Sequence, residues 1–123
     1  MGRLAYTKII AHRGSRGTRP ENTLESFQEA LKVASDGIEL DVHLTKDGEV
    51  VVIHDETVDR TTSGKGYVKE MTLEQLKKLD AGSWFDPKYS NARIPTLQEV
   101  LTLLAENHFS GVLNVELKTD VFQ

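Results

Sequence analysis

Ionisable residues stand at or near the ends of several short apolar runs, in combinations that suit phosphate chemistry. They are His12 with Arg13, Glu39 with Asp41, His54 with Asp55, and Glu116 with Lys118. Such side chains are poor core material, because burying an unpaired charge is costly. We therefore expect them to converge on one polar site, where the charges of a phosphate and a metal ion offset each other.

The carboxylates in this set have the spacing of a metal site. Glu39 and Asp41 lie two residues apart on a predicted strand, so their side chains share a face, about 7 Å apart along the chain. Like charges this close raise each other's pKa unless a cation lies between them. Glu116, on another strand, could supply a third carboxylate. We favour a hard-metal site over the alternative, a solvated face of an edge strand, and we interpret His43 as a polar wall or core residue.

Two histidines and two cations complete the candidate site. His12 and His54 end separate predicted strands, and imidazole is suited to donating and accepting protons near neutrality. Arg13 offers a planar fork to phosphate oxygens, and Lys118 a point charge. The simpler alternative for both cations is ion pairing with the acidic residues. Glu21 is a candidate to hold Arg13 in place, and we expect the two histidines to flank a phosphate as acid and base.

The periodicity of the apolar residues predicts alternating strands and amphipathic helices. Strands are expected at 8–12, 38–44, 49–54 and 112–117. Caps at Asn22, Thr72 and Thr96, each followed three residues later by Glu or Gln, mark the helix starts. This alternation indicates an α/β fold with a largely parallel sheet. Active sites of such folds lie at the carboxyl ends of the strands, where the candidate residues fall.

The segment 56–94 differs from the rest of the chain. It is polar and rich in Gly, Asp and Thr, with one short helix predicted inside it. We expect a single domain over 1–123 in which 56–94 is an inserted subregion above one end of the sheet. Within it, Arg60 is predicted to have a surface role, and Trp84 with Phe85 to fasten the insertion to the sheet.

Composition narrows the possible partners. The chain has 123 residues, a net charge of −4 and no cysteine, which argues against nucleic acid as a partner and excludes thiolate metal ligands. Oxygen and imidazole ligands favour hard ions such as Ca²⁺, Mg²⁺ or Mn²⁺. No apolar run is long enough for stable membrane insertion, and the N-terminus lacks the apolar core of a secretory signal. We expect a cytoplasmic protein with a small-molecule substrate.

Several motifs in order resemble one known family, the glycerophosphodiester phosphodiesterases. The resemblance covers 9–118, nearly the whole chain, and is carried by Ala-His-Arg-Gly at 11–14, Pro-Glu-Asn-Thr at 20–23, Glu-Leu-Asp-Val at 39–42, Thr-Lys-Asp-Gly at 45–48, His-Asp at 54–55, Arg-Thr-Thr at 60–62, Asp-Ala-Gly-Ser-Trp-Phe at 80–85, Ile-Pro-Thr-Leu at 94–97 and Glu-Leu-Lys at 116–118.

That resemblance implies a TIM-type (β/α) barrel with an insertion after the third strand, and metal-dependent hydrolysis of glycerophosphodiesters to glycerol 3-phosphate and an alcohol. It also implies a route in which a glycerol hydroxyl attacks first and water then opens a cyclic phosphate. The implied roles are catalysis for His12 and His54, as general acid and base, and for Arg13, which also contacts the phosphate. Lys118 would contact the phosphate, and Glu39, Asp41 and Glu116 would bind Ca²⁺ or Mg²⁺.

The chain is shorter than the roughly 250 residues of a complete barrel, so we expect only the first half, about four strands. Open sheet edges are a liability, which favours a fragment or a half-barrel that self-associates. Two alternatives stay open. One is a related barrel phospholipase of the phosphoinositide or sphingomyelin type; the other is a non-catalytic half-barrel that serves as a metal-binding or assembly module.

Overall fold

A computed structural model describes residues 9–33 and 36–118. The elements in chain order are β1 (Ile10–His12), α1 (Leu24–Lys32), β2 (Gly37–Leu44), β3 (Val50–Val52), α2 (Leu73–Lys77), α3 (Leu97–Glu106) and β4 (Val112–Leu117), with short 3-10 turns at Val68–Glu70 and Pro87–Tyr89. The first residue predicted for β1, Lys8, lies outside the described residues. No helix within the described part has the length and apolar character that crossing a bilayer requires.

Strand β2 is the centre of a four-stranded sheet. It pairs in parallel with β1 on one side and with β4 on the other. Strand β3 pairs with β2 antiparallel, because a tight turn connects the two; Gly48 has φ 82° there, and Thr45 N donates to Glu49 O at 2.9 Å. A connection this short can join only antiparallel strands. Three of the four strands therefore run parallel, and β3 is the exception.

The hydrophobic core lies between the sheet and helices α1 and α3. Ile38, Leu40 and Val42 alternate along β2 and are buried with Phe27 of α1 and Val100 of α3. Because side chains alternate across a strand, the intervening residues of β2 point to the opposite face. That face carries the polar residues described below.

Helix α1 begins one residue later than the sequence predicts. Its N-cap is Thr23, whose hydroxyl accepts from Ser26 N at 3.2 Å, so the predicted cap at Asn22 with Glu25 is wrong. Asn22 instead has φ 56°, a left-handed conformation that asparagine tolerates better than most residues. The predicted caps at Thr72 and Thr96 are confirmed, and each forms a reciprocal capping box.

The segment 56–94 packs against the sheet through β3. Val51 and Ile53 form a second buried cluster with Val58, Val68 and Leu76 of the segment. Strand β3 ends at Val52, two residues before the predicted end, although Ile53 N still donates to Asp41 O at 3.0 Å. Aliphatic residues therefore fasten this segment to the sheet. Trp84, expected to do so, is 39% exposed.

Candidate active site

Three carboxylates come together at the face of β2 that lies away from the helices. Glu39, Asp41 and Glu116 each place one oxygen so that all three lie within 4.8 Å of one another. Alternation along β2 explains the first two, and the parallel register that pairs Asp41 with Glu116 brings in the third. Glu39 and Asp41 are buried, whereas Glu116 is exposed. The structure therefore assembles the predicted trio at one point.

Electrostatics at Glu39 favour a cation. Burial raises the pKa of its carboxyl, and the charge of Asp41 raises it further, against a weaker opposing effect of the Arg13 backbone N–H. Near neutrality, two carboxylates forced together in this way are stabilised by a divalent ion that lies between them. Oxygen-only donors suit a hard ion such as Ca²⁺ or Mg²⁺, so the residues present fit such an ion.

Asp41 is held by a neighbour that the sequence analysis did not assign. The Asn22 amide donates from Nδ2 to Asp41 Oδ2 at 3.2 Å, and Arg13 Nε lies 3.5 Å from the same oxygen. Asn22 is 3% exposed, and its Oδ1 has no hydrogen-bond partner among the described residues. The only signal in the sequence was its place in the Pro-Glu-Asn-Thr motif.

The loop after β1 directs His12 and Arg13 toward the carboxylates. Arg13 has φ 57° and Gly14 φ 74°, and Arg13 N donates to Glu39 O at 2.7 Å. A side chain at Gly14 would clash with Ser26 Oγ. A left-handed arginine is uncommon and costs free energy, so the surrounding contacts hold this turn in place.

His12 stands at the exposed rim of the carboxylate cluster. Its Nε2 lies 3.4 Å from Glu39 Oε1, and its side chain is 48% exposed. Partial burial lowers the pKa of the imidazole, and the nearby charges of Arg16 and Arg13 lower it further. A lowered pKa favours the neutral imidazole, which is the form that accepts a proton.

The tautomer of His54 follows from its partner. His54 Nδ1 lies 2.9 Å from Asp55 Oδ1, and hydrogen bonds from Arg60 hold the pKa of Asp55 at about 2. An ionised carboxylate can only accept, so Nδ1–H donates and Nε2 carries the lone pair of the ring. Buried His43 donates from Nε2 to the His54 carbonyl at 2.9 Å, which fits its interpretation as a polar wall residue.

The two predicted phosphate contacts already have acidic partners. Arg13 Nη1 lies 3.4 Å from Glu21 Oε1, the contact expected of Glu21. Lys118 Nζ lies 3.2 Å from Glu116 Oε2. Both cations are therefore paired with acidic side chains, as the ion-pairing alternative requires. Each of them also contacts a member of the carboxylate trio, Arg13 at Asp41 and Lys118 at Glu116.

Arg60, predicted to have a surface role, joins two parts of the site. It donates from Nε and Nη2 to Asp55 at 2.9 and 3.0 Å, and from Nη1 and Nη2 to Glu21 at 3.2 and 2.9 Å. Glu21 and Asp55 lie far apart in the sequence, so no local pattern shows this contact. The Arg-Thr-Thr motif was the only signal.

Comparison with known proteins points to one family. The profile of the glycerophosphoryl diester phosphodiesterase family matches residues 12–123. A glycerophosphodiester phosphodiesterase of Caldanaerobacter subterraneus is 55% identical over 115 residues, which are 94% of this chain and 46% of that protein. One from Bacillus altitudinis is 50% identical over 117 residues, 95% of this chain and 47% of that protein.

Solved structures agree with the sequence comparison. A glycerophosphodiester phosphodiesterase from Agrobacterium tumefaciens has a TM-score of 0.84 at 43% identity, covering 91% of this chain and 47% of that one. A phosphodiesterase from Oleispira antarctica, in complex with its product sn-glycerol-3-phosphate, has a TM-score of 0.88 at 40% identity, covering 97% and 47%. The chain thus spans about half the length of the relatives that it matches.

Proposed function

This chain belongs to the glycerophosphoryl diester phosphodiesterase family, and we propose that it forms the catalytic half of an enzyme that hydrolyses glycerophosphodiesters to glycerol 3-phosphate and an alcohol. The observation that carries this proposal is the meeting of three carboxylate oxygens within 4.8 Å with His12 at 3.4 Å from one of those carboxylates. Displacement at a phosphate requires an acid, a base and positive charge around one phosphorus atom, and this cluster supplies metal ligands with an imidazole beside them.

In this proposal His12 and His54 exchange protons with the substrate. One imidazole takes the proton of a glycerol hydroxyl as that oxygen bonds to phosphorus, and the other protonates the departing alcohol oxygen. Water then opens the cyclic phosphate with the roles of the two rings reversed. The Nδ1 contact between His54 and Asp55 supports the proposal, because it leaves Nε2 of His54 for this transfer.

Arg13 and Lys118 are proposed to bind the phosphate. The guanidinium of Arg13 is held between Glu21 and Asp41, which orients it before the substrate arrives. Lys118 supplies a point charge beside Glu116. Fixed positive charges that need not reorganise stabilise the additional charge of the transition state more than mobile ones do.

Glu39, Asp41 and Glu116 are proposed to hold one divalent ion, Ca²⁺ or Mg²⁺. A hard cation bound there supplies Lewis-acid polarisation of the phosphate. The raised pKa of Glu39 supports the assignment, since a bound cation offsets both the desolvation cost of burial and the repulsion from Asp41.

A complete barrel needs a further strand beside β4. Among residues 9–33 and 36–118, β4 pairs with β2 alone, and Leu117 is 60% exposed. We propose that the active form covers this edge, and that for this chain alone a second copy does so. Size-exclusion chromatography with and without divalent ion tests it: a dimer is expected, and a monomer under both conditions contradicts self-association.

Release of glycerol 3-phosphate from glycerophosphocholine tests the function. Turnover is expected with Ca²⁺ or Mg²⁺, none with a chelator, and a loss of at least about 100-fold in His12→Ala. Cleavage of phosphatidylinositol or sphingomyelin instead would favour the phospholipase alternative. Metal-dependent assembly without release of any product would favour the non-catalytic module. The absence of a nucleic-acid partner and the cytoplasmic location stay predictions, which filter binding and cell fractionation test.

A further inference from the structure

The backbone around Arg60 closes on itself. Thr57 and Tyr67 form an isolated antiparallel bridge, and Val58 N donates to Gly66 O at 2.9 Å. Thr62 N donates back to Val58 O at 3.0 Å, and Val58 itself is completely buried. Arg60 therefore projects from a loop whose two ends are hydrogen-bonded together and anchored in the core.

The guanidinium of Arg60 connects two carboxylates, and each of these holds a proposed catalytic or phosphate-binding side chain. Asp55 accepts from His54 Nδ1 at 2.9 Å, and Glu21 accepts from Arg13 Nη1 at 3.4 Å. The Glu21 side chain is only 8% exposed, against 46% for Arg60. The indole of Trp84 lies beneath the guanidinium, with its ring centroid 6.0 Å from Arg60 Cζ.

We propose that Arg60 is a positioning residue that fixes His54 through Asp55 and Arg13 through Glu21, so that the insertion and the loop after β1 share one rigid polar network. This proposal deepens the proposed function and rests on it for the roles of His54 and Arg13. The geometry stands independently of those roles.

A planar fork is the group that can make this connection. Arg60 uses four of its five N–H groups on the two carboxylates, and a guanidinium presents those donors in a fixed plane. A lysine ammonium is a compact point charge and cannot reach both carboxylates bidentately. Because most of the donors are already used, Arg60 orients its neighbours and leaves phosphate contact to Arg13.

Arg19 offers a matched control for Arg60. It also pairs with a glutamate, donating from Nη2 to Glu29 Oε1 at 3.1 Å. It also lies over an aromatic ring of the insertion, with Cζ 5.8 Å from the Tyr89 centroid. Within residues 9–33 and 36–118, no side-chain hydrogen bond or ion pair joins Glu29 or Tyr89 to a proposed site residue. Removing Arg19 therefore removes a similar ion pair and ring contact without touching the network.

The first test needs no turnover. Long-range ¹H–¹⁵N spectra of the imidazoles report which ring nitrogen carries the proton, and His54→Gln assigns the His54 signal. We expect His54 protonated on Nδ1 in the unmodified chain and in Arg19→Ala, and a shift toward the Nε2–H tautomer in Arg60→Ala. An unchanged His54 signal in Arg60→Ala would overturn the proposal, whether or not the protein hydrolyses glycerophosphodiesters.

The second test measures kinetics on the full chain with divalent ion present. Arg60→Ala is expected to lower kcat/KM by about 100-fold, the loss typical of a misplaced catalytic group, with little recovery in Arg60→Lys and a change under about 2-fold in Arg19→Ala. In a variant that already carries Asp55→Asn and Glu21→Gln, Arg60→Ala should lower kcat/KM by less than about 3-fold, because the two carboxylate charges that Arg60 binds are already absent. A full additional loss in that background would show direct substrate contact and contradict the proposal.

Discussion

The two faces of strand β2 are both buried, but one carries apolar residues and the other carries acidic residues. Ile38, Leu40 and Val42 point toward the helices and form the core, which stabilises the fold. Glu39 and Asp41 point to the other face, where burial and the neighbouring charge of Asp41 raise the pKa of Glu39, and burying two like charges together costs free energy. If the polar face is the proposed site, substitutions on the two faces should change different measured quantities: stability for the apolar face and activity for the acidic one.

The largest expected effect is on the polar face. Asp41→Asn keeps the shape of a side chain that is 1% exposed but removes its charge from the proposed metal ligands. We expect kcat/KM for glycerophosphocholine to fall by about 1,000-fold or more, with the thermal unfolding midpoint within a few degrees. Loss of activity together with collapse of the fold would break the separation of the two faces.

The next effect is on the core face. Leu40→Ala removes a completely buried side chain and should lower the free energy of unfolding by about 2–5 kcal/mol. Urea titration measures this loss. Activity per folded molecule, measured well below the unfolding midpoint, should stay within about 3-fold of the original; a selective loss of activity would contradict the comparison.

A smaller effect, a gain in the free energy of unfolding, is expected when Glu39 is replaced by Gln in the absence of metal. Its pKa is raised in the folded state, chiefly by burial and then by Asp41, so the folded protein binds that proton more tightly than the unfolded chain does. The free energy of unfolding therefore falls as the pH rises above the ordinary glutamate range. Glu39→Gln removes this pH dependence of the free energy of unfolding.

We expect Glu39→Gln to be more stable than the unmodified chain at pH 7 in a chelator, by about 1 kcal/mol, and the difference to vanish near pH 4. Urea titrations across this pH range measure it. Equal or lower stability of Glu39→Gln at pH 7 would show that the polar face carries no such cost.

The smallest effect is expected away from both faces. Lys77 and Glu99 form an exposed ion pair at 2.6 Å, and such pairs contribute about 0–1 kcal/mol. Lys77→Ala should therefore change neither activity nor stability beyond that amount. The same urea and activity measurements give the baseline for the variants above, and a larger change would mean that surface contacts also affect the site.

The alternation of β2 was readable from the sequence, because side-chain period and charge both follow from residue order. The meeting of Glu39 with Asp41 follows from that alternation, whereas their contact with Glu116 needs the pairing of β2 with β4. The cap at Thr23 was not readable in this way, because Asn22 and Thr23 are both good caps and contacts with Arg13 and Asp41 decided between them. The proposed role of Arg60 could not be read from the sequence, because it depends on Glu21 and Asp55 lying close together in three dimensions.

Isothermal titration calorimetry with Ca²⁺ and Mg²⁺ measures whether the polar face of β2 holds a divalent ion. We expect one bound ion per chain for the unmodified protein and Leu40→Ala, and a loss of at least about 100-fold in affinity for Asp41→Asn. Equal affinity in Asp41→Asn would contradict the metal site proposed there.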